Sequence, residues 1–295
     1  MKPLKADLLI FFVTICWGSS YLFMKMGLGT LGEFNLVALR FGLAFIVAAA
    51  LFHRRLRHLN RKTFYYAMLL GLLLFLVFTA ITFGLKTTST SNAGFLVSLT
   101  VVFVPLISSF IYKKKIENKI FISILLALVG IAFLTIKLPF TFAIGDFLCM
   151  AAACFYAIHI LVVGSAAQKV DTLNLGILQL GFAGVYGLIF SIIFETPVFP
   201  STTDGWVAIL ALSLVCSALG FIIQVVAQKY TSPTKTGLIF SMEPVFAAMF
   251  GYWFADEIMD SNALIGAALV LLSIVVATVN VNISRRSRVK TTPTS

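Results

Sequence analysis

An arginine and a glutamate stand inside stretches of chain that are otherwise too apolar to carry charge. Arg40 lies in VALRFGLAFIV and Glu243 in GLIFSMEPVFAAMF. A charge at the depth of a bilayer costs about 3 kcal/mol or more unless it is paired or faces water, so each is a candidate for function. Two arrangements satisfy that constraint. The pair can meet each other or backbone groups and hold a helix bundle together. Alternatively both face a cavity, where the planar fork of Arg40 would hold a carboxylate. Glu243 would there attract an amine, or bind and release a coupling proton. A pair that breaks and re-forms would serve both ends.

Around these two charges the candidates are neutral. His159 is the histidine that falls within an apolar stretch, either as a hydrogen-bonded packing residue or as a polar contact of the cavity. Tyr156 lies one turn from it, and Trp17 and Tyr21 are four residues apart, so each pair shares a helix face. Trp17, Tyr21 and Tyr156 are expected to line a cavity, whereas Tyr252 and Trp253 read as interfacial anchors. Asn92, Gln179, Gln224 and Gln228 add hydrogen-bonding capacity. Asn92 and Gln224 are taken as substrate contacts, although Asn92 opens an apolar stretch and could simply cap it. Pro105 and Pro244 each remove a backbone donor and are expected to act as hinges or to shape packing. Gly94, Gly237, Ser98 and Ser241 read as small residues that let helices approach.

These residues must be positioned by helices. Ten apolar stretches fill the 295 residues: 7–26, 33–53, 64–85, 91–112, 119–136, 145–164, 172–194, 205–228, 235–255 and 262–282. Hydrophobic residues make up 60% of the chain, charged residues 11%, and mean hydropathy is +1.03. A bilayer core is crossed by roughly 20 apolar residues as helix, and no water is present there to satisfy peptide groups in any open structure. The expected class is therefore an all-α integral membrane protein with ten transmembrane helices.

Charge sets the orientation. With the N-terminus in the cytoplasm, the inner side receives Lys2, Lys5, the basic loops at 54–62 and 113–119, Lys169, Lys229, Lys235 and the run at 285–290. The outer side receives Lys25, Lys86 and Lys137, together with the acids Glu33, Asp146, Glu195, Asp204, Asp256, Glu257 and Asp260. The net charge of +11 is thus a topology signal, and no nucleic-acid partner is expected. Both termini are expected to be cytoplasmic, in a plasma (inner) membrane. The first stretch has no small-x-small cleavage site and reads as a retained span. Cys16, Cys149, Cys154 and Cys216 all fall within spans, so neither a disulfide framework nor a metal site is expected, and no cofactor is called for.

The chain also matches itself. At an offset of 139, Asp7 meets Asp146, Trp17 meets Tyr156, Asn35 meets Asn174, Arg40 meets Gln179 and Gly42 meets Gly181. At an offset of 143, KTTSTSNAGFLVS at 86–98 meets KYTSPTKTGLIFS at 229–241. Each half would hold five spans, with domains at 1–137 and 138–283 and a basic tail at 284–295. Five is odd, so the second half would enter the membrane from the opposite side. Two such inverted repeats enclose a cavity near the midplane, the geometry of alternating access.

Taken in order, WGSSYLFMK (17–25), ALRFGLA (38–44), SNAGFLVSLTVVFVP (91–105) and GLIFSMEPVFAAMFG (237–251) resemble the EamA branch of the drug/metabolite transporter superfamily. The resemblance spans residues 6–282, and Arg40 and Glu243 occupy positions that match charged positions in the family's motifs. It implies export or exchange of small metabolites, often amino acids and their derivatives. Relatives in the wider superfamily carry sugars, nucleotide sugars, nucleobases or cationic drugs. An integral-membrane enzyme would need paired aspartates or a histidine-rich metal cluster, and an ATP-driven pump would need a phosphate-cradling loop; the sequence offers neither. The expected partners are a small-molecule substrate and the lipid bilayer, with proton coupling and a homodimeric assembly left open.

Overall fold

A computed structural model describes residues 1–56, 59–88, 90–113, 115–135, 143–254 and 261–278. His58, Lys137, Asp256, Glu257, Asp260 and the tail at 284–295 lie outside the described residues. The described chain is helical throughout. In order come α1 (Pro3–Gly18), α2 (Ser20–Leu28), α3 (Glu33–Leu51), the short α4 (His53–Leu56), α5 (Arg61–Gly84), α6 (Thr90–Ser98), α7 (Thr100–Tyr112) and α8 (Asn118–Thr135). There follow α9 (Ile144–Ala166), α10 (Thr172–Phe194), α11 (Thr203–Leu210), a π-helical segment (Ala211–Leu219), α12 (Gly220–Gln228), α13 (Pro233–Phe240), α14 (Glu243–Phe254) and α15 (Ser261–Thr278).

Among the described residues, seven helical stretches are long and apolar enough to cross a membrane, and Asn118–Phe133 and Leu264–Ala277 are shorter apolar helices. Their outward faces are greasy: Phe110, Ile144, Phe194 and Ile192 stand largely exposed, as lipid contact requires and water would penalise. Starts are marked by side chains that satisfy free backbone donors. Asn60 caps α5, Asp171 caps α10, Thr202 caps α11 and Ser232 caps α13.

Four of the apolar stretches are not single α-helices. The first breaks at Ser19, the fourth at Leu99 and the ninth at Ser241–Met242, while the eighth widens into the π segment. Pro244 sits in the first turn of α14, where its missing N–H leaves no bond unmade, whereas Pro105 lies inside α7. Asn92 falls in the first turn of α6 rather than at its cap, and its side chain lies outside the described residues. Three of the breaks lie beside the cavity described below.

The helices pack in a pattern that repeats when the halves are exchanged. α3 lies on α10 and α8 on α15; α5 packs on α9 and α10 as α12 and the π segment pack on α1 and α3. Small residues permit the closest approaches. A Cβ on Gly184 would fall 2.7 Å from the backbone nitrogen of Gly42, and one on Gly130 would fall 2.7 Å from the carbonyl of Gly266. These contacts bring backbones together and leave the polar faces of α1, α3, α5, α9 and α14 turned toward a common centre.

Candidate functional site

That centre is a small cavity. Trp17, Ser20, Tyr21 and Met24 from the α1–α2 break, Arg40 from α3, Val77, Phe78 and Ile81 from α5, Val97, Tyr156 and Glu243 line it. Arg40 is fully buried. Its Nε donates to Ser217 Oγ at 2.7 Å, and its guanidinium carbon stands 4.1 Å from the Phe78 ring centre, within cation–π range. Its Nη1 and Nη2 have no hydrogen-bond partner among the described residues. Two buried guanidinium nitrogens left unsatisfied are costly, and an acceptor that fills the cavity would remove that cost.

Glu243 is the first residue of α14 and half-buried. Its carboxylate pairs with the Tyr21 hydroxyl. It forms no ion pair with Arg40: the ion pairs among the described residues are Lys86–Glu33, Lys119–Glu117 and Lys235–Asp7. Both charges therefore face one space without closing on each other. Glu243 and Tyr156 also line a second, adjoining small lobe with Ser98, Thr100, Gly237 and Ser241. The Tyr156 hydroxyl is buried and unpartnered among the described residues. Trp17 forms the wall between the halves, its ring centre 5.9 Å from Tyr156, 4.9 Å from Phe221 and 4.8 Å from Phe240. Its Nε1 donates to the carbonyl of Cys216 at 2.7 Å, an acceptor carried by the π segment. Gly220 makes room for it, since a Cβ there would lie 2.6 Å from that nitrogen.

Of the residues expected from the sequence, Trp17, Tyr21, Arg40, Tyr156 and Glu243 meet in this cavity. His159 and Gln224 do not line it. His159 is fully buried and donates through Nε2 to Gln179 Oε1 at 3.1 Å. Gln224 donates to Gln228 Oε1 at 3.0 Å, and Gln228 to the carbonyl of Ile160 at 3.1 Å. In repeat register His159 and Gln179 stand where Ser20 and Arg40 stand in the first half. Phe78, Ser217 and Thr100 are lining or supporting residues that the sequence reading did not single out. Phe78 had a signal, because it matches Phe221 at the offset of 143.

The model of the EamA-like transporter family matches residues 4–136 and again residues 143–279. The chain belongs to the EamA-like transporter family. It is thereby a multi-pass integral membrane protein of the drug/metabolite transporter superfamily, with two EamA domains. An uncharacterized transporter of Archaeoglobus fulgidus is 29% identical over 281 residues, covering 95% of this chain and 88% of that protein. The uncharacterized transporter YoaV of Bacillus subtilis is 23% identical over 283 residues, covering 92% and 95%. A solved crystal structure, 20% identical, superposes with a TM-score of 0.78 over 94% of this chain and 97% of its own, and so shares the fold.

In this EamA-like transporter the helix ends on either side of the cavity carry polar contacts that are equivalent in the repeat. At the end where α1 and α13 begin, Asp7 accepts from Thr231 Oγ1 at 2.7 Å and from Lys235 Nζ at 2.6 Å. At the end where α9 begins, Asp146 accepts from Thr88 Oγ1 and, at 2.8 Å, from the Ala143 amide, while Thr87 Oγ1 accepts from the Gly145 amide at 2.9 Å. Asp7 matches Asp146 and Thr231 matches Thr88 in the two registers of the repeat. The second end carries further ties. Lys86 and Glu33 approach to 2.6 Å, and Glu33 holds the exposed Lys86 ammonium above its ordinary value, first by hydrogen bonding and then by charge. Glu195 accepts from the free amides of Phe34 and Asn35 at the start of α3, at 3.0 and 2.8 Å.

Proposed function

We propose that this protein is a secondary transporter that moves small carboxylate-bearing metabolites, amino acids or their derivatives, outward across the plasma membrane by alternating access. The observation that carries this reading is Arg40, wholly buried in a cavity with two guanidinium nitrogens unpartnered among the described residues. Such a fork accepts a planar carboxylate through two parallel hydrogen bonds. Glu243 and the rings of Trp17, Tyr21 and Tyr156 would receive the amine end, and a Glu243 that exchanges a proton with either side would couple flux to pH.

In this reading the helices form ten spans in two inverted repeats, 1–137 and 138–283, with both termini cytoplasmic. The broken helices support it, because transporters of inverted-repeat design place substrate sites at discontinuous helices near the midplane. The two equivalent end contacts support it as well: each ties one half to the other, and Pro105 and Pro244 lie in α7 and α14, the helices that follow two of the breaks.

The test is counterflow in proteoliposomes of the purified protein. Vesicles are preloaded with an amino-acid panel and, separately, with sugars or organic cations, with tracer outside. Accumulation driven by the amino-acid class, lost in Arg40→Gln, supports the proposal. Accumulation driven only by sugars or organic cations, or unaffected by Arg40→Gln, overturns it.

A further inference from the structure

The two lobes of the cavity differ in what they offer a ligand. The first presents donors, Arg40 Nη1 and Nη2. The second presents oxygen. Ser98 Oγ spends its hydrogen on the Gly94 carbonyl at 2.7 Å, Thr100 Oγ1 on the Val97 carbonyl at 2.7 Å, and Ser241 Oγ on the Leu238 carbonyl at 2.6 Å. A hydroxyl has one hydrogen and two lone pairs, so what these three leave for the lobe is acceptor capacity. Among the described residues of its lining the Glu243 carboxylate is the charged group, and the Tyr156 hydroxyl, unpartnered among the described residues, can donate or accept.

The arrangement is built by the helix breaks. Ser98 ends α6 and Thr100 starts α7; Ser241 follows α13 and Glu243 starts α14. In repeat register Ser98 matches Ser241 and Thr100 matches Glu243. One pair of breaks thus sets three hydroxyls and one carboxylate around a single space.

We infer that this second lobe is a subsite for a compact monocation, held by the oxygens of Ser98, Thr100, Ser241 and Glu243. The inference rests on the transporter reading above and assigns the cation half of its site. A primary ammonium fits, since its three N–H donors need three acceptors; a bare alkali ion offers the same chemistry from a different source. A trimethylammonium head does not fit, because it has no N–H and is recognised by aromatic faces rather than by hydroxyl oxygens. A divalent ion is disfavoured by the single carboxylate.

The experiment is a thermal-unfolding titration of the full-length protein in lipid nanodiscs. Methylammonium, sodium and tetramethylammonium chlorides are compared at constant ionic strength. A ligand that binds only the folded state raises the midpoint saturably. The expected result is a saturable rise with methylammonium or with sodium, which names the source, and none with tetramethylammonium. Thr100→Val and Ser241→Ala should each weaken the half-saturating concentration roughly tenfold, as loss of one charge-assisted hydrogen bond does. Thr100→Ser, which keeps the hydroxyl, should retain wild-type response. Absence of a saturable rise with either small cation, an equal rise with tetramethylammonium, or an unchanged response in both hydroxyl-less variants overturns the inference. A parallel titration with tetramethylammonium propionate, lost in Arg40→Gln, reports the carboxylate lobe separately, so failure of one reading does not hide the other.

Discussion

The latch at the α1–α13 end gives a prediction that can be worked from its geometry. Lys235 Nζ lies 2.6 Å from Asp7 Oδ2, with side-chain exposures of 30% and 12%. A hydrogen bond to a charged group contributes about 1.5–3 kcal/mol when shielded, and an exposed ion pair about 0.2–1 kcal/mol. The half-shielded pair falls between, at roughly 1–2 kcal/mol, a factor of about 5 to 30 in an opening equilibrium. Lys235→Met removes the ammonium and leaves Asp7 with Thr231. The equivalent contact at the other end, Asp146 with Thr88 and Ala143, is untouched. Under alternating access, populating the state open at the α1 end depletes the state open at the other. Hydrogen exchange measured on the full-length protein in nanodiscs should therefore rise at 229–236 and fall at 84–90. Asp146→Asn should produce the mirror image. If both ends loosen together in either variant, the contacts merely staple the fold; if neither end responds, the pair carries no gating energy.

Three other outcomes follow from the site. Glu243→Gln should abolish pH-driven flux in proteoliposomes while leaving counterflow partly intact, and equal pH dependence in variant and wild type removes Glu243 from coupling. Arg40→Lys should weaken carboxylate-bearing substrates at least tenfold in counterflow competition, because an ammonium cannot reproduce the bidentate fork. Arg40→Met should abolish counterflow yet keep or raise the thermal midpoint, since an apolar side chain relieves a buried, half-satisfied charge. Gly184→Val should lower the unfolding midpoint by the equivalent of about 1–3 kcal/mol or more, because its Cβ would stand 2.7 Å from the Gly42 backbone where α3 and α10 meet.

Much of this was legible in the sequence because hydropathy and charge are local properties. Twenty apolar residues have one stable form in lipid whatever surrounds them, so the helices could be placed from composition alone. The self-match at offsets of 139 and 143 and the order of the family-like segments are also properties of the string, and the family they pointed to is the family the chain belongs to. Arg40 and Glu243 stood out because charge is rare at depth, and Trp17 and Tyr156 because the repeat pairs them.

Which polar group faces which neighbour was settled only in three dimensions, because the rotation of each helix is set by its packing. Glycines such as Gly184 and Gly130 fix how close two backbones come, and through that which face turns inward. His159 and Gln224 were as conspicuous in the sequence as Tyr156. Packing turned them toward Gln179 and Gln228 instead of the cavity. The bond from Arg40 to Ser217 needs the π segment, and no residue type announces a π turn. Asp146 read as an outer-side charge that set topology, and Asp7 as its match in the repeat. Their partners lie far along the chain, Lys235 for one and Thr88 for the other, so the fold alone brings them together. The sequence determined that helices of this apolar character must cross a bilayer. Only their mutual rotation and their breaks decided that Arg40 and Glu243 share one space without neutralising each other.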